Sequence, residues 1–284
     1  MGLTTKKAID LHIHTLYSDG EYSPKEIVAL AKKNNVGIIA ITDHDSIEGA
    51  KEAQCLNDQD ITIITGVELS AETNNEEMHI LGYNIDLENV ALNNELSKIK
   101  KSRIDRLLAM FKYLETRFNL YFKQEDIDKV FTMSNIAGRP YIANLCLKYN
   151  YVETFQEAFQ KYLIEANKEC SGYFPTFKKA ISLILEAGGI PILAHPVTVN
   201  KDYLVLKSTI EELVGYGLMG IEVYHSRHND QDSKELLKLV NEYNLVYSGG
   251  SDYHGPNASP GVEIGTGINN NAKMSKKPTI LNIL

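Results

Sequence analysis

Two histidines one residue apart, His12 and His14, close the apolar run of IDLHIHTLYSDG, and Asp19-Gly20 follows at once. Side chains at i and i+2 of a strand project to the same side, so both imidazoles can face one ion. Asp19 can reach back from the loop, with Gly20 easing the turn. By itself an HxH pair is more often hydrogen-bonded core, and Asp-Gly more often a plain turn. The pattern does not stop there, however. His44 stands in ITDHD, Glu68 in GVEL, His79 in MHILGY and His195 in ILAHP. His225 and His228 stand in EVYHSRH, Asp252 and His254 in GSDYH. Imidazoles and carboxylates that converge form a ligand set for Zn, Mn or Fe.

The elements that must position them follow from apolar periodicity. Ala8 to His14, Val36 to Thr42, Ile61 to Leu69 and Met78 to Ile85 read as strands, as do GIPILAH, MGIEVYH and LVYSGGSDYH later in the chain. Ser23-Pro24 reads as a helix N-cap and first turn, and Ser46 as the opening of the next helix. From about Leu87 to Asn167 the spacing is helical, with no buried strand. Strands alternating with helices imply parallel pairing and right-handed crossovers. The expected fold is a closed or nearly closed α/β barrel interrupted by a helical insertion, with a doubly wound open sheet as the alternative. Most of the histidines then fall at C-terminal strand ends, where parallel barrels build their sites.

Composition narrows the partners. The chain has 284 residues, 43% hydrophobic and 23% charged, with a formal charge of −8. That is globular, and it argues against sequence-independent binding of duplex DNA, which needs a basic face. Cys55, Cys146 and Cys170 form no framework, as expected in a reducing compartment. No stretch approaches the roughly 20 apolar residues of a membrane span, so a soluble cytoplasmic protein is expected. The cluster Lys98, Lys100, Lys101, Arg103 and Arg106 is spread around a helix and reads as a solvated face.

The ordered set DLHIHTLYSDG, ITDHD, GVELS, MHILGY, LAHP and GSDYH resembles the PHP family, named for polymerase and histidinol phosphatase. The resemblance implies a distorted (β/α)7 barrel in two parts, residues 1–88 and 173–284, with a small helical lid domain at 89–172. It also implies two or three divalent ions (Mn, Zn or Fe). Their ligands would be His12, His14, Asp19, His44, Glu68, His79, His195, Asp252 and His254. NIAGRPYIA resembles the GRPHIA motif of family members that dephosphorylate nucleotides, with Tyr141 in place of the histidine. EVYHSRH matches the same subgroup.

The expected activity is metal-dependent hydrolysis of nucleotide phosphomonoesters, such as a nucleoside 3′,5′-bisphosphate or a nucleoside monophosphate, by an activated water. Arg139 is the expected phosphate clamp, because a guanidinium fork at a helix start suits a phosphate. His228 is a second phosphate contact, Arg227 a weaker one that reads as solvated. His225 either orients a ligand or stands beside the leaving group, and Tyr253 stacks on a base. The rivals are 5′-3′ exonuclease action on short RNA or DNA, histidinol phosphate hydrolysis, and a metal-binding module without catalysis.

Overall fold

The computed structural model describes residues 7–56, 58–73, 76–132, 138–274 and 277–284. Within these, the chain forms two compact units, residues 1–94 with 175–284, and residues 95–174.

The first unit is built on seven strands: β1 (Ala8–Ile13), β2 (Val36–Ile41), β3 (Thr62–Thr73), β4 (Glu76–Tyr83), β5 (Ile190–Leu193), β6 (Gly220–His225) and β7 (Val246–Gly250). They lie side by side in chain order. Helices α1 (Pro24–Lys33) and α2 (Glu48–Cys55) connect β1 to β2 and β2 to β3. The near-continuous apolar runs are explained by burial on both faces: Leu11, Ile39, Ala40, Leu81 and Ile192 have no exposed surface. Just past β7, Asp252 N–H donates to His12 O (2.9 Å) and His14 N–H to Tyr253 O (2.9 Å). These bonds bring the far edge of the sheet back to β1, giving a distorted (β/α)7 barrel. Gly250 permits the approach, since a Cβ there would stand 2.3 Å from His12 N.

Two expectations need correction. β4 is antiparallel to both β3 and β5. β3 and β4 are joined by a hairpin, and no crossover helix lies between them to force parallel pairing. The second correction is at α2, whose N-cap is Ile47; Ser46 accepts the Glu48 N–H from one residue further out. At α1 the reading stands: Ser23 and Glu26 form a reciprocal capping box ahead of Pro24.

The second unit is helical. It contains most of α3 (Val90–Phe118), then α4 (Gln124–Thr132), α5 (Arg139–Lys148), α6 (Phe155–Ala158) and α7 (Ile164–Glu169), with a π turn at Phe159–Leu163. Its core joins Leu107, Met110, Leu114, Ile142, Leu145 and Leu163, ringed by Phe122, Tyr149 and Tyr151. The basic cluster on α3 is not simply solvated. Arg106 donates to Cys170 O and Asn167 Oδ1, and the Lys98 ammonium sits 3.3 Å from the Tyr173 ring centroid.

After the helical unit the barrel resumes with α8 (Phe177–Glu186), α9 (Pro196–Val199), α10 (Tyr203–Gly215) and α11 (Asp230–Glu242). The three cysteines are free thiols. Among the described residues no helix is long and apolar enough to cross a membrane.

Candidate metal centre

Glu68 is the hub. It has no exposed surface, and five imidazoles aim a nitrogen at its carboxylate: His12 (3.2 Å), His14 (3.2 Å), His44 (3.1 Å), His79 (3.0 Å) and His195 (3.0 Å). The sheet explains the convergence. β3 continues past the end of its parallel neighbour β2 to pair with β4, so Glu68 lies mid-strand but level with His44, to which it is bridged. His79 is the fourth residue of β4, and because β4 is antiparallel its first half stands at the same end of the barrel as the last residues of β1 and β5.

Asp252 is the second acid. Its Oδ1 stands 3.2 Å from His14 Nε2 and 3.5 Å from His12 Nε2. Asp19 is the third, 3.2 Å from His254 Nε2 and 3.9 Å from His44 Nε2. All nine side chains expected as ligands therefore gather in one region of the barrel. A Cβ on Gly20 would stand 2.6 Å from His14 O, so glycine lets the Asp19 loop fold tightly over the strand end. Asp43 ties that loop down, accepting from Thr15 N–H, Thr15 Oγ and Ser18 Oγ at 2.6–2.7 Å.

Hydrogen bonds fix which nitrogen of several rings is bare. His12 Nδ1–H donates to Glu222 Oε1 (3.0 Å) and His254 Nδ1–H to Asp252 O (2.9 Å). The Thr198 hydroxyl donates to His195 O (2.8 Å), so it accepts from His195 Nδ1–H (2.9 Å). In the neutral form of each ring Nε2 is then the lone pair, and it points at a carboxylate. Likewise His12 Nε2 and His14 Nε2 stand 3.1 Å apart. Lone pairs opposed at this distance repel, so a proton or a metal cation must lie between them. Donors sharing one ion at about 2.0–2.2 Å are themselves about 3.0–3.4 Å apart. The donor set thus fits divalent cations, in groups such as His12–His14–Glu68, His44–Glu68–His79 and His14–Asp19–His44–His254.

Electrostatics show the same demand for positive charge: against burial, the neighbouring carboxylates raise His12 well above its ordinary value of 6.5 and push His14 and His79 up to about 10. Burial alone would raise the Glu68 and Asp252 carboxyls, but the surrounding imidazoles hold both well below the usual carboxylate range. Burial pushes His44 down to about 3, so this ring is neutral and free to ligate. His195 and Asp252 are held at positive φ, +26° and +56°. Backbone there costs about 1–3 kcal/mol per residue and persists where surroundings impose it. The imposing contacts are His195 N–H to Glu222 Oε2 (2.8 Å) and Asp252 N–H to His12 O (2.9 Å).

The other expected site residues divide. His225 is fully buried; its Nδ1 accepts from Arg227 N–H (3.1 Å), so Nε2–H donates to Asp252 Oδ2 (3.2 Å). That bond orients the Asp252 carboxylate. His228 is a correction. It is 1% exposed and its Nδ1–H is bound to Val223 O, which leaves no surface for a phosphate. Arg227, two residues past His225, is exposed and lines the cavity over the cluster, reversing the expected order. Tyr253 is also corrected. It is 5% exposed, its ring is stacked on Tyr22, and burial pushes its hydroxyl up to about 12, so no face is open to a base. Arg139 is the first residue of α5, after an extended Gly138 N-cap, in the helical unit. The Asn135–Ala137 part of its motif lies outside the described residues. Tyr141, the departure from that motif, donates its hydroxyl to Asp126 O.

Sequence reading missed Glu222, which holds His12 with one oxygen and the His195 backbone with the other. The available signal was a carboxylate inside the apolar strand GIEVYH, since a buried charge needs partners. It also missed Thr198, one helical turn beyond His195.

The cavity above the cluster has a volume of about 450 Å³ and is lined by Asp19, His44, Glu77, Met78, His79, His195, Thr198, Val199, Arg227, Asp252 and His254. The PHP domain matches residues 10–172, more than half of the chain. The chain belongs to the PHP domain family. As a member it is a metal-dependent phosphoesterase. It is 30% identical over 254 residues to a 5′-3′ exoribonuclease of Haemophilus influenzae, covering 88% of this chain and 91% of that one. It is 28% identical over 250 residues to a 3′,5′-nucleoside bisphosphate phosphatase of Chromobacterium violaceum, covering 87% of each. A solved structure of an amidohydrolase from Chromobacterium violaceum, with bound sulfate and no metal, superposes with a TM-score of 0.77 at 27% identity. It covers 91% of this chain and 90% of that one.

Proposed function

We propose that this phosphoesterase removes a phosphate from a 5′-phosphorylated nucleotide by breaking the O3′–P bond of a nucleoside 3′,5′-bisphosphate. The observation that carries the chemistry is the convergence of five imidazoles on the buried Glu68 carboxylate. Ions bound there would lower the pKa of a water and neutralise charge on the phosphoryl oxygens. Glu68 and Asp252 would bridge them, and the fixed tautomers of His12, His195 and His254 would keep lone pairs on the coordinating side. Thr198, Glu222 and His225 keep these ligands from rotating away. Arg227, on the cavity wall, offers a cation to the phosphate. Arg139 adds a second cation on the strength of its GRP motif and its helix start.

A second reading, 5′-3′ exonucleolytic cleavage of short RNA, is favoured by the exoribonuclease relative. The bond broken is the same; only the group beyond phosphorus differs. Turnover of metal-reconstituted protein on a nucleoside 3′,5′-bisphosphate and on a 5′-phosphorylated trinucleotide decides between them. Faster turnover of the bisphosphate supports the first reading, and the opposite order replaces it. Arg139→Ala should raise KM on the order of tenfold to a hundredfold with metal content unchanged. Wild-type KM and kcat in that variant would remove Arg139 from the site.

A further inference from the structure

A second cavity, of about 350 Å³, adjoins the one over the metal centre. It is lined by Val197, Thr198, Lys201, Arg227, Asn229 and Asp232, and it shares Thr198 and Arg227 with its neighbour. Its charge is opposite in character. The first cavity is lined by carboxylates and imidazoles, with Arg227 its only lysine or arginine. The second holds two cations, Lys201 and Arg227, against one acid. Both oxygens of that acid are already engaged: Asp232 Oδ1 accepts from Tyr203 Oη of α10 (2.6 Å) and Oδ2 from Asn229 N–H (2.8 Å). Among the described residues neither Lys201 nor Arg227 makes an ion pair. In a chain of net charge −8, two exposed cations without partners in one concavity form a local anion site.

We infer that this cavity is a subsite for a second phosphate of the substrate, on the same nucleoside as the phosphate that is cleaved. The inference rests on the nucleotide reading and adds to it. Arg227 stands on the shared wall and faces both phosphates; Lys201 lines only the second cavity and reads the distal one. The occupant's chemistry is a phosphate monoester one nucleoside away from the scissile bond. A nucleoside 3′,5′-bisphosphate and a 5′-phosphorylated dinucleotide both carry it, whereas a nucleoside 3′-monophosphate does not.

The test compares KM and kcat of metal-reconstituted wild type, Lys201→Ala and Lys201→Arg on these three compounds. Lys201→Ala should raise KM about tenfold for substrates with the distal phosphate, with kcat little changed and the 3′-monophosphate handled as in wild type. Lys201→Arg should restore the KM. A rise for only one of the two-phosphate compounds would still support the subsite and identify its source. Equal changes on all three compounds, or none on any, with active wild type, would overturn the subsite and leave the nucleotide reading standing. Wild type inert to all three would overturn both.

Discussion

The barrel mouth and the helical unit bury opposite kinds of side chain. At the mouth, His12, His14, Glu68, Glu222 and His225 have no exposed surface. In the helical unit, among the described residues, Asp126 is the only buried ionisable acid or base of the Asp, Glu, His, Lys and Arg types; the rest of that core is aliphatic, aromatic or thiol. Asp126 is also fully matched, accepting from Lys129 Nζ, Lys148 Nζ and Tyr149 Oη at 2.7–2.8 Å. At the mouth, His12 Nε2 and His14 Nε2 face each other at 3.1 Å and need a proton or a metal cation between them. The difference teaches that one unit uses burial to stabilise itself, while the other holds unfavourable juxtapositions that a cation resolves.

The sharpest way to break the comparison is to remove the hub. Glu68→Gln should abolish metal loading and lower kcat on the order of a thousandfold or more. Metal content by mass spectrometry and turnover check this together. Retained metal and turnover would show that the five imidazoles do not depend on Glu68.

A smaller effect tests the support behind the ligands. Glu222→Gln leaves volume unchanged but places an amide N–H group where His12 or the His195 backbone needs an acceptor. Metal affinity should fall about tenfold to a hundredfold, measured by chelator competition. Unchanged affinity would mean that the strand ends hold His12 and His195 without it.

The smallest effect sharpens the other side. Bonds from Lys129 and Lys148 lower the Asp126 carboxyl below its ordinary value of 3.8. The stabilisation is present in full above that value, and is lost as pH falls from there through the lowered folded value. Asp126→Asn should lower the melting temperature of the helical unit at neutral pH and flatten its decline below about pH 4, with metal content at neutral pH as in wild type. Melting curves against pH that matched the wild type would deny Asp126 this role.

Much of this was legible in the sequence because most of the expected ligands, though not Glu68 or His79, sit at or just past strand ends, and strand ends can be read from apolar runs. His12 and His14 share a face by the period of the strand alone, and the capping box at Ser23 and Glu26 is set by local spacing. Other features were not legible because they depend on partners far away in the chain. The antiparallel course of β4 follows from its hairpin with β3 and places His79 among the other ligands. Whether His228, Arg227 or Tyr253 meets a substrate depends on burial, which motif order does not specify: the adjacent residues Arg227 and His228 end up on opposite sides of the protein surface.

The sequence by itself determined the candidate ligand types, the places of most of them at or just past strand ends and the helical character of the insertion, because these follow from local periodicity and side-chain chemistry. Only the tertiary structure decided which ring nitrogen of His12, His195 and His254 is tied to a partner away from the cluster, that Glu222 braces two candidate ligands and that two cations line a second cavity. Those facts are set by distances between residues up to 210 positions apart in the chain, such as His12 and Glu222, which no local pattern contains.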